Sequence, residues 1–342
     1  MSMRVTVVGA GNLGVASAVR MAAKGVQVTL YTGSPERWPP VLLAEDCRGR
    51  VFSGELSSIT ADPQRAADAD LILLCVPGNV MSAKLLELRP SMVQGTPIAS
   101  IFSGDGFFFV AEKVLGPNWP VMGFQRVPMI CRMKEQFRTV SILGYKPELS
   151  LAGRCVEDLS KWRAFFEDVF ATKTTLLENY LDAAYANGNV VLHPARLMSL
   201  AEQIDVNGRL VGMPLFYEEW DDCASAWAIR LDEEVRAVAS AKGAHVMPIL
   251  EYYESVDEES LTRKIRSIAA FKGIGSPITK EGRLDYTSRY IQADVHVALA
   301  NIVREAMAEG VNCPFAKKVL ERFVQCQDSE VCMLSGSQQG RL

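Results

Sequence analysis

An α/β domain followed by an all-α domain is the architecture this chain predicts, and two observations predict it. Near the N-terminus a strand signature runs through a glycine-rich turn into a helix signature and then into a second strand. Near residue 175 the texture changes from alternating strands and helices to long helical patterns.

The first element is Met3-Arg4-Val5-Thr6-Val7-Val8, an apolar, β-branched run of the kind that forms a buried parallel strand. It enters Gly9-Ala10-Gly11-Asn12-Leu13-Gly14, a G-x-G-x-x-G, and residues 15–24 continue as a helix. Residues 26–31 form the second strand, and further strands of the same sheet are expected at 58–60, 71–77, 97–101, 120–123 and 139–144. Pro77 and Gly78 stop the strand over 71–77, and Ser103-Gly104-Asp105-Gly106 reads as a flexible turn. The α/β domain is expected over 1–175 and the helical domain over 176–342. Within the latter, residues 231–239 are amphipathic with Gly243 as C-cap, residues 301–308 end at Gly310, and 273–277 is a loop. The polar tail after about 327, which bears glycine and serine, is expected to be loose.

The glycine spacing states a chemical requirement. Gly9 allows the tight turn, Gly11 lets a pyrophosphate approach the backbone, and Gly14 lets the helix pack on the strand. The N–H groups around Asn12 and Leu13 then face the diphosphate. Ligands of open α/β sheets collect outside strand ends, so Val76 and Pro77 are expected to line the same coenzyme. An NAD-binding unit of this kind places an acid at the end of the second strand to hold the ribose 2′-hydroxyl. Here that end reads Tyr31-Thr32-Gly33-Ser34-Pro35-Glu36-Arg37, with neutral hydroxyls on Thr32 and Ser34 and a guanidinium on Arg37 for a 2′-phosphate. NADP(H) is therefore expected over NAD(H), and Glu36 is the one residue favouring the opposite.

Composition removes several function classes. With 342 residues the chain can bury two substantial cores, and its formal charge of −4 points to neither nucleic acid nor an acidic membrane surface. No apolar run is long enough for a membrane span, and the immediate N-terminal strand leaves no room for a signal peptide. Eight cysteines without CxxC pairs suit reduced thiols, so a cytoplasmic location is expected, and three histidines make a zinc site, or any metal site, unexpected. The helical domain has room for a partner face, so a homo-oligomer is compatible with the sequence.

Chemistry is expected in two stretches of the second half: Asn187-Gly188-Asn189-Val190-Val191-Leu192-His193-Pro194, and residues 285–295 with Asp294 near their end. Either His193 or Asp294 alone fits a structural role, the first as a packed core residue and the second as a helix cap. Together they offer what hydride transfer to a carbon–nitrogen or carbon–oxygen double bond needs. One group titrates near neutrality, and a carboxylate fixes its tautomer and holds it charged.

These motifs resemble those of the octopine/nopaline (opine) dehydrogenase family. The features that carry the resemblance are the G-x-G-x-x-G, the Asn-x-Asn-x-x-x-His-Pro stretch from Asn187 to Pro194, and Phe271-Lys272-Gly273-Ile274-Gly275-Ser276-Pro277. Arg289-Tyr290-x-x-x-Asp294-Val295, about a hundred residues after the histidine, and a Cys-Arg element at Cys131-Arg132 complete it. The resemblance implies an NAD(P)-dependent oxidoreductase that condenses an amino acid with a 2-oxo acid reductively. It implies His193 as catalytic acid/base, Asp294 as its carboxylate partner, and Asn187, Asn189, Arg132 and Arg289 on the substrate side. Two departures stand out. Many relatives carry an acid where this chain has Ala293, which bears on amino-acid specificity, and the acid after the second strand is missing.

Two alternatives stay open. A 2-dehydropantoate reductase or another hydroxy-acid dehydrogenase shares the two-domain plan, although those enzymes place a lysine where residues 176–192 contain none. A non-catalytic NADP(H)-binding sensor is the other.

Overall fold

The computed structural model describes residues 3–323 apart from 187, 207, 208 and 211; the tail after about 327 lies outside the described residues. The chain forms two compact units, the first ending at Ala184 and the second beginning at Tyr185.

Twelve strands are described in the first unit: β1 (Arg4–Val8), β2 (Gln27–Tyr31), β3 (Val41–Asp46), β4 (Val51–Glu55), β5 (Ser58–Thr60), β6 (Leu71–Leu74), β7 (Ile98–Ser100), β8 (Val121–Phe124), β9 (Met129–Glu135), β10 (Thr139–Tyr145), β11 (Glu148–Arg154) and β12 (Lys173–Leu176). The helices between them are α1 (Asn12–Ala22), α2 (Pro63–Ala67), α3 (Gly78–Leu88), α4 (Phe107–Leu115) and α5 (Leu159–Phe170), and α6 (Tyr180–Tyr185) lies at the boundary of the units. Eight strands make one sheet in the order β12-β11-β8-β7-β6-β1-β2-β5, parallel throughout except where β11 meets β8. The strand order turns at β1, which pairs with β2 on one side and β6 on the other. Val8, Tyr31 and Leu74 are in register there, so the segments that follow them emerge side by side. That is the topological switch point, where open α/β sheets bind their ligands.

One sheet was expected and two are present. Residues 139–144 do not extend the first sheet. As β10 they join a four-stranded sheet, β4-β3-β10-β9, built with the hairpin over 41–55 that the sequence reading left unassigned. The reason lies in patterning. β6 is buried at every position, as a central parallel strand is, whereas β3 alternates between buried and more exposed residues as a one-faced sheet does. α1 is packed against both sheets: Val15, Ala18 and Val19 share a core with Val5 and Val7 of β1 and with Leu42, Ala44, Val140 and Ile142 of the second sheet. Residues 14–21 are accordingly buried all round the helix. The second sheet approaches so closely that a Cβ at Gly54 would stand 2.8 Å from the Val19 Cα.

Asp46 secures the far end of β3. Its carboxylate accepts the backbone N–H groups of Arg48 and Arg50 at 2.9 Å, the Arg50 Nε–H at 2.8 Å and the Tyr145 hydroxyl at 3.2 Å. Burial pushes this carboxyl up, but the Arg50 guanidinium and the two amides outweigh it and hold it down at about 2. A depressed carboxyl contributes stability that is present above its unfolded value and lost as pH falls through its folded one. Asp46→Ala is therefore expected to cost ~1–3 kcal/mol in urea unfolding at pH 7. The gap between variant and parent should close as pH falls from about 4 to about 2; a gap that persists at pH 2 removes the charge from the explanation.

The second unit is helical: α7 (Asn189–Glu202), α8 (Asp222–Ala241), α9 (Ile249–Tyr252), α10 (Glu258–Ser267), a π-helix over Tyr290–Leu299 that runs on into α11 (Ala300–Glu309), and α12 (Pro314–Phe323). Among its described residues β-pairing is confined to three isolated antiparallel bridges, which agrees with the all-α expectation. Gly243 and Gly310 take positive φ just past α8 and α11, the left-handed turn that terminates helices. α7 is buried at every position from Val190 to Leu200, so it is the central helix of the unit.

Candidate active site

In the first unit, the glycine turn shows which of its residues the protein itself requires. Gly9 has φ +103°, and its N–H donates to the Tyr31 carbonyl. A Cβ at Gly14 would lie 1.8 Å from the Gly9 carbonyl oxygen, so only glycine lets α1 start this close to β1. Gly11, by contrast, caps α1 in an extended conformation, and a Cβ there would meet nothing within 4 Å. Packing does not explain a glycine at 11, whereas a dinucleotide phosphate drawn up to the backbone at a helix N-terminus does. The chain therefore fits the group that its turn implies.

The neighbouring residues fall as follows. The Asn12 carboxamide oxygen accepts the Met133 N–H at 2.9 Å, tying β9 to the start of α1, and Leu13 packs on the shared core. Cys75 N–H donates to Val8, and Val76 and Pro77 follow at the start of α3, with the Val76 side chain against Gly9. Thr32 N–H donates to Thr60, and Ser34 caps the short 3-10 turn Pro35–Arg37. The Arg37 guanidinium lies over the Phe137 ring at 3.8 Å, and Phe137 packs edge-on against Trp38. The second sheet thus supports the loop after β2. Arg132 stands in the middle of β9, exposed, with its guanidinium donating to the Cys131 carbonyl. The turn over 103–106 begins at buried Ser103, which donates its hydroxyl to the Phe124 carbonyl at 2.7 Å.

In the second unit, α7 carries His193 and the π-helix carries Asp294. Separated by 101 positions, they meet at 2.6 Å between Nδ1 and Oδ2. Both are buried, at 1% and 4% exposure. A carboxylate only accepts, so this contact places the proton of neutral His193 on Nδ1 and leaves Nε2 as the acceptor. Pro194, next in α7, cannot donate to the Val190 carbonyl, and the helix lacks one hydrogen bond beside the histidine.

Nε2 has a partner that the sequence reading missed. The Tyr217 hydroxyl lies 2.7 Å from it. Tyr290 stands edge-on to the imidazole at 4.4 Å between centroids, and Phe216 does so at 5.6 Å. Tyr217 itself is stacked on Phe271 at 4.1 Å. The segment Phe271 to Pro277 now has a physical role: Phe216 N–H donates to the Ile274 carbonyl and Leu215 bridges Gly275, which fixes the backbone that presents Tyr217. The available signal was the aromatic cluster Phe216-Tyr217-Glu218-Glu219-Trp220, which has no spacing that distinguishes it from core. Among the other expected site residues, Asn189 begins α7, Arg289 is exposed just before the π-helix with its guanidinium 5.6 Å from the Tyr290 ring, and Asn187 lies outside the described residues. Buried Ala293 occupies the position before Asp294.

No group of three or more His, Cys, Asp or Glu side chains with metal-holding geometry exists among the described residues. None of the described helices is long and apolar enough to cross a membrane.

Residues 176–325 match a family model described as the alpha-helical domain of NAD/NADP octopine/nopaline dehydrogenase. The whole chain is similar, at 27% identity, to an octopine dehydrogenase of Mizuhopecten yessoensis, 94% of which is covered. A solved octopine dehydrogenase in complex with NADH and agmatine superposes with a TM-score of 0.81 at 23% identity, covering 97% of this chain and 94% of that one. A 2-dehydropantoate 2-reductase from Geobacter metallireducens superposes with a TM-score of 0.66 at 16% identity, covering 94% of this chain and 100% of that one. The fold is thus shared by both enzyme types.

Proposed function

We propose that the chain, an NAD(P)-dependent oxidoreductase acting on CH–NH that is similar to the octopine/nopaline dehydrogenases, joins an amino acid to a 2-oxo acid by reductive condensation with His193 as acid/base. The observation that carries the residue roles is the buried Asp294–His193 pair, which holds an imidazole in one tautomer among aromatic rings. A bound nicotinamide supplies the hydride. The chain's own residues manage the proton: the His193 side releases one as the carbonyl oxygen departs as water, and Asp294 stabilises the imidazolium that precedes this release. Arg289, exposed just before the π-helix, is the candidate of the second unit for holding a substrate carboxylate by paired hydrogen bonds, with Asn189 at the start of α7 and Asn187 as further polar candidates. Arg132 is the corresponding candidate from the first unit.

The coenzyme is proposed to be NADP(H) rather than NAD(H), held by Gly9, Gly11, Gly14 and the amides of Asn12 and Leu13, with Val76 and Pro77 alongside. Its 2′-phosphate is assigned to Thr32, Ser34 and Arg37. Phe137 supports this assignment by holding the Arg37 guanidinium in the loop after β2. Arg37→Ala is expected to raise the KM for NADPH by roughly tenfold or more, the loss of one charge-assisted hydrogen bond, and to leave that for NADH unchanged. An equal effect on both coenzymes transfers Arg37 to a structural role.

The experiment that tests the activity is oxidation of NADPH and NADH across a grid of amino acids and 2-oxo acids, with every component also supplied alone. Oxidation that requires both components is the expected result. Oxidation with a 2-oxo acid alone makes the enzyme a hydroxy-acid dehydrogenase, and binding without turnover leaves the sensor reading.

A further inference from the structure

In this arrangement neither nitrogen of His193 is open to a substrate. It is 1% exposed, Phe216 and Tyr290 stand edge-on to its ring, and both of its nitrogens are engaged, Nδ1 by Asp294 and Nε2 by Tyr217. A proton entering or leaving this imidazole must pass through a carboxylate or through a phenol hydroxyl. Both are buried, Asp294 at 4% and Tyr217 at 5% exposure, and the carboxylate only accepts the Nδ1 proton as its hydrogen bond. The hydroxyl is different in kind, because it donates and accepts at the same time.

We infer that Tyr217 is the outlet of a three-member relay, Asp294–His193–Tyr217, and that its hydroxyl transfers the proton to the substrate. This rests on the acid/base reading of His193 given above. In the condensing direction the Tyr217 O–H bond breaks as an O–H bond forms on the departing oxygen. The proton on Nε2 of imidazolium His193 moves to the phenol oxygen in the same event. Tyrosine ends as a neutral phenol, histidine as neutral imidazole, and Asp294 remains a carboxylate. The reverse reaction runs the same transfers backwards.

Two further observations support this. The Tyr217 ring is fixed: it is stacked on Phe271, and its backbone neighbour Phe216 is hydrogen-bonded to Ile274. The ionisable groups around the hydroxyl are His193, Asp294, Tyr290, Tyr253 and Arg289. Burial, and then Tyr290, Tyr253 and Asp294, push the phenol well above its ordinary value, while Arg289 alone opposes them. A free phenolate therefore does not accumulate, and the hydroxyl gives up a proton only as it receives one from His193.

The test compares Tyr217→Phe and His193→Asn with the parent enzyme. It measures NADPH dissociation constants, kcat against pH, and the proton inventory of kcat in H2O–D2O mixtures, using the amino acid and 2-oxo acid pair that the grid shows to be active. Tyr217→Phe is expected to lower kcat by roughly 10²-fold or more while NADPH binds unchanged. The parent's curved inventory, the sign of two protons in flight, should be lost. A Tyr217→Phe enzyme within about threefold of the parent and with an unaltered pH profile overturns the relay, provided that His193→Asn is inactive. If His193→Asn is also active, the acid/base reading itself fails. Should the phenylalanine variant not fold, 3,5-difluorotyrosine at 217 keeps the ring and hydroxyl and acidifies the phenol. A shift of the kcat profile then supports the relay, and an unmoved profile overturns it.

Discussion

His193→Ala lowers kcat by roughly 10²–10⁴-fold, the usual worth of a positioned acid/base, while NADPH binds as before. The two parts of this expectation have separate physical origins. The proposed coenzyme cradle lies in the first unit, at the start of α1, and the substitution removes a side chain from α7 in the second. Removing the imidazole also strips Asp294 of its Nδ1 partner and Tyr217 of its Nε2 partner, leaving two buried polar groups unsatisfied. A stability loss of a few kcal/mol is therefore expected beside the kinetic one. Activity must accordingly be read well below the melting temperature of the variant. Near-full turnover by a folded His193→Ala enzyme would discard the acid/base reading. A loss of NADPH binding would instead mean that the substitution acts beyond the second unit.

One methyl group at two positions of the same turn should give two opposite phenotypes. Gly14→Ala places a Cβ 1.8 Å from the Gly9 carbonyl oxygen, a contact no rotamer change relieves because both atoms belong to or adjoin the backbone. α1 must move away from β1, and α1 is packed against both sheets, so a loss of more than about 4 kcal/mol or failure to fold is expected. Gly11→Ala meets nothing within 4 Å and sits in extended backbone that any residue adopts. Its fold should be unchanged within about 0.5 kcal/mol. Its coenzyme affinity should fall by roughly 100-fold or more, about 2.7 kcal/mol, because the methyl occupies the approach of the pyrophosphate. Thermal unfolding with and without NADPH separates the two. A Gly11→Ala protein that is stabilised by NADPH as strongly as the parent removes the phosphate from that turn.

Much of the fold was readable along the chain, and the reasons are local. The strand, turn and helix over residues 3–24 reveal themselves because each glycine acts within a few residues of its neighbours. Gly14 against Gly9 is a contact across five positions. The sustained helical texture of the second half has the same local origin, in helix periodicity and the glycine caps at 243 and 310. The second sheet was not readable, because β3 and β10 pair across about a hundred residues and β10 taken alone has the pattern of one more strand in the first sheet. No short-range feature tells a strand which sheet it joins.

The active site divides in the same way. The sequence by itself determined a glycine turn suited to a phosphate, the loop after β2 without an acid, and His193 and Asp294 as residues of interest through their resemblance to a family pattern. Only the tertiary structure decided what these two side chains touch. The 2.6 Å contact depends on α7 and the π-helix returning to one another over 101 positions. Tyr217 left no sequence signal that sets it apart from core, since a tyrosine in an aromatic cluster looks like core until its hydroxyl is seen 2.7 Å from an imidazole nitrogen. Local backbone chemistry is written in neighbouring residues, whereas a proton path is set by distances of a few tenths of an ångström between groups that only folding brings together.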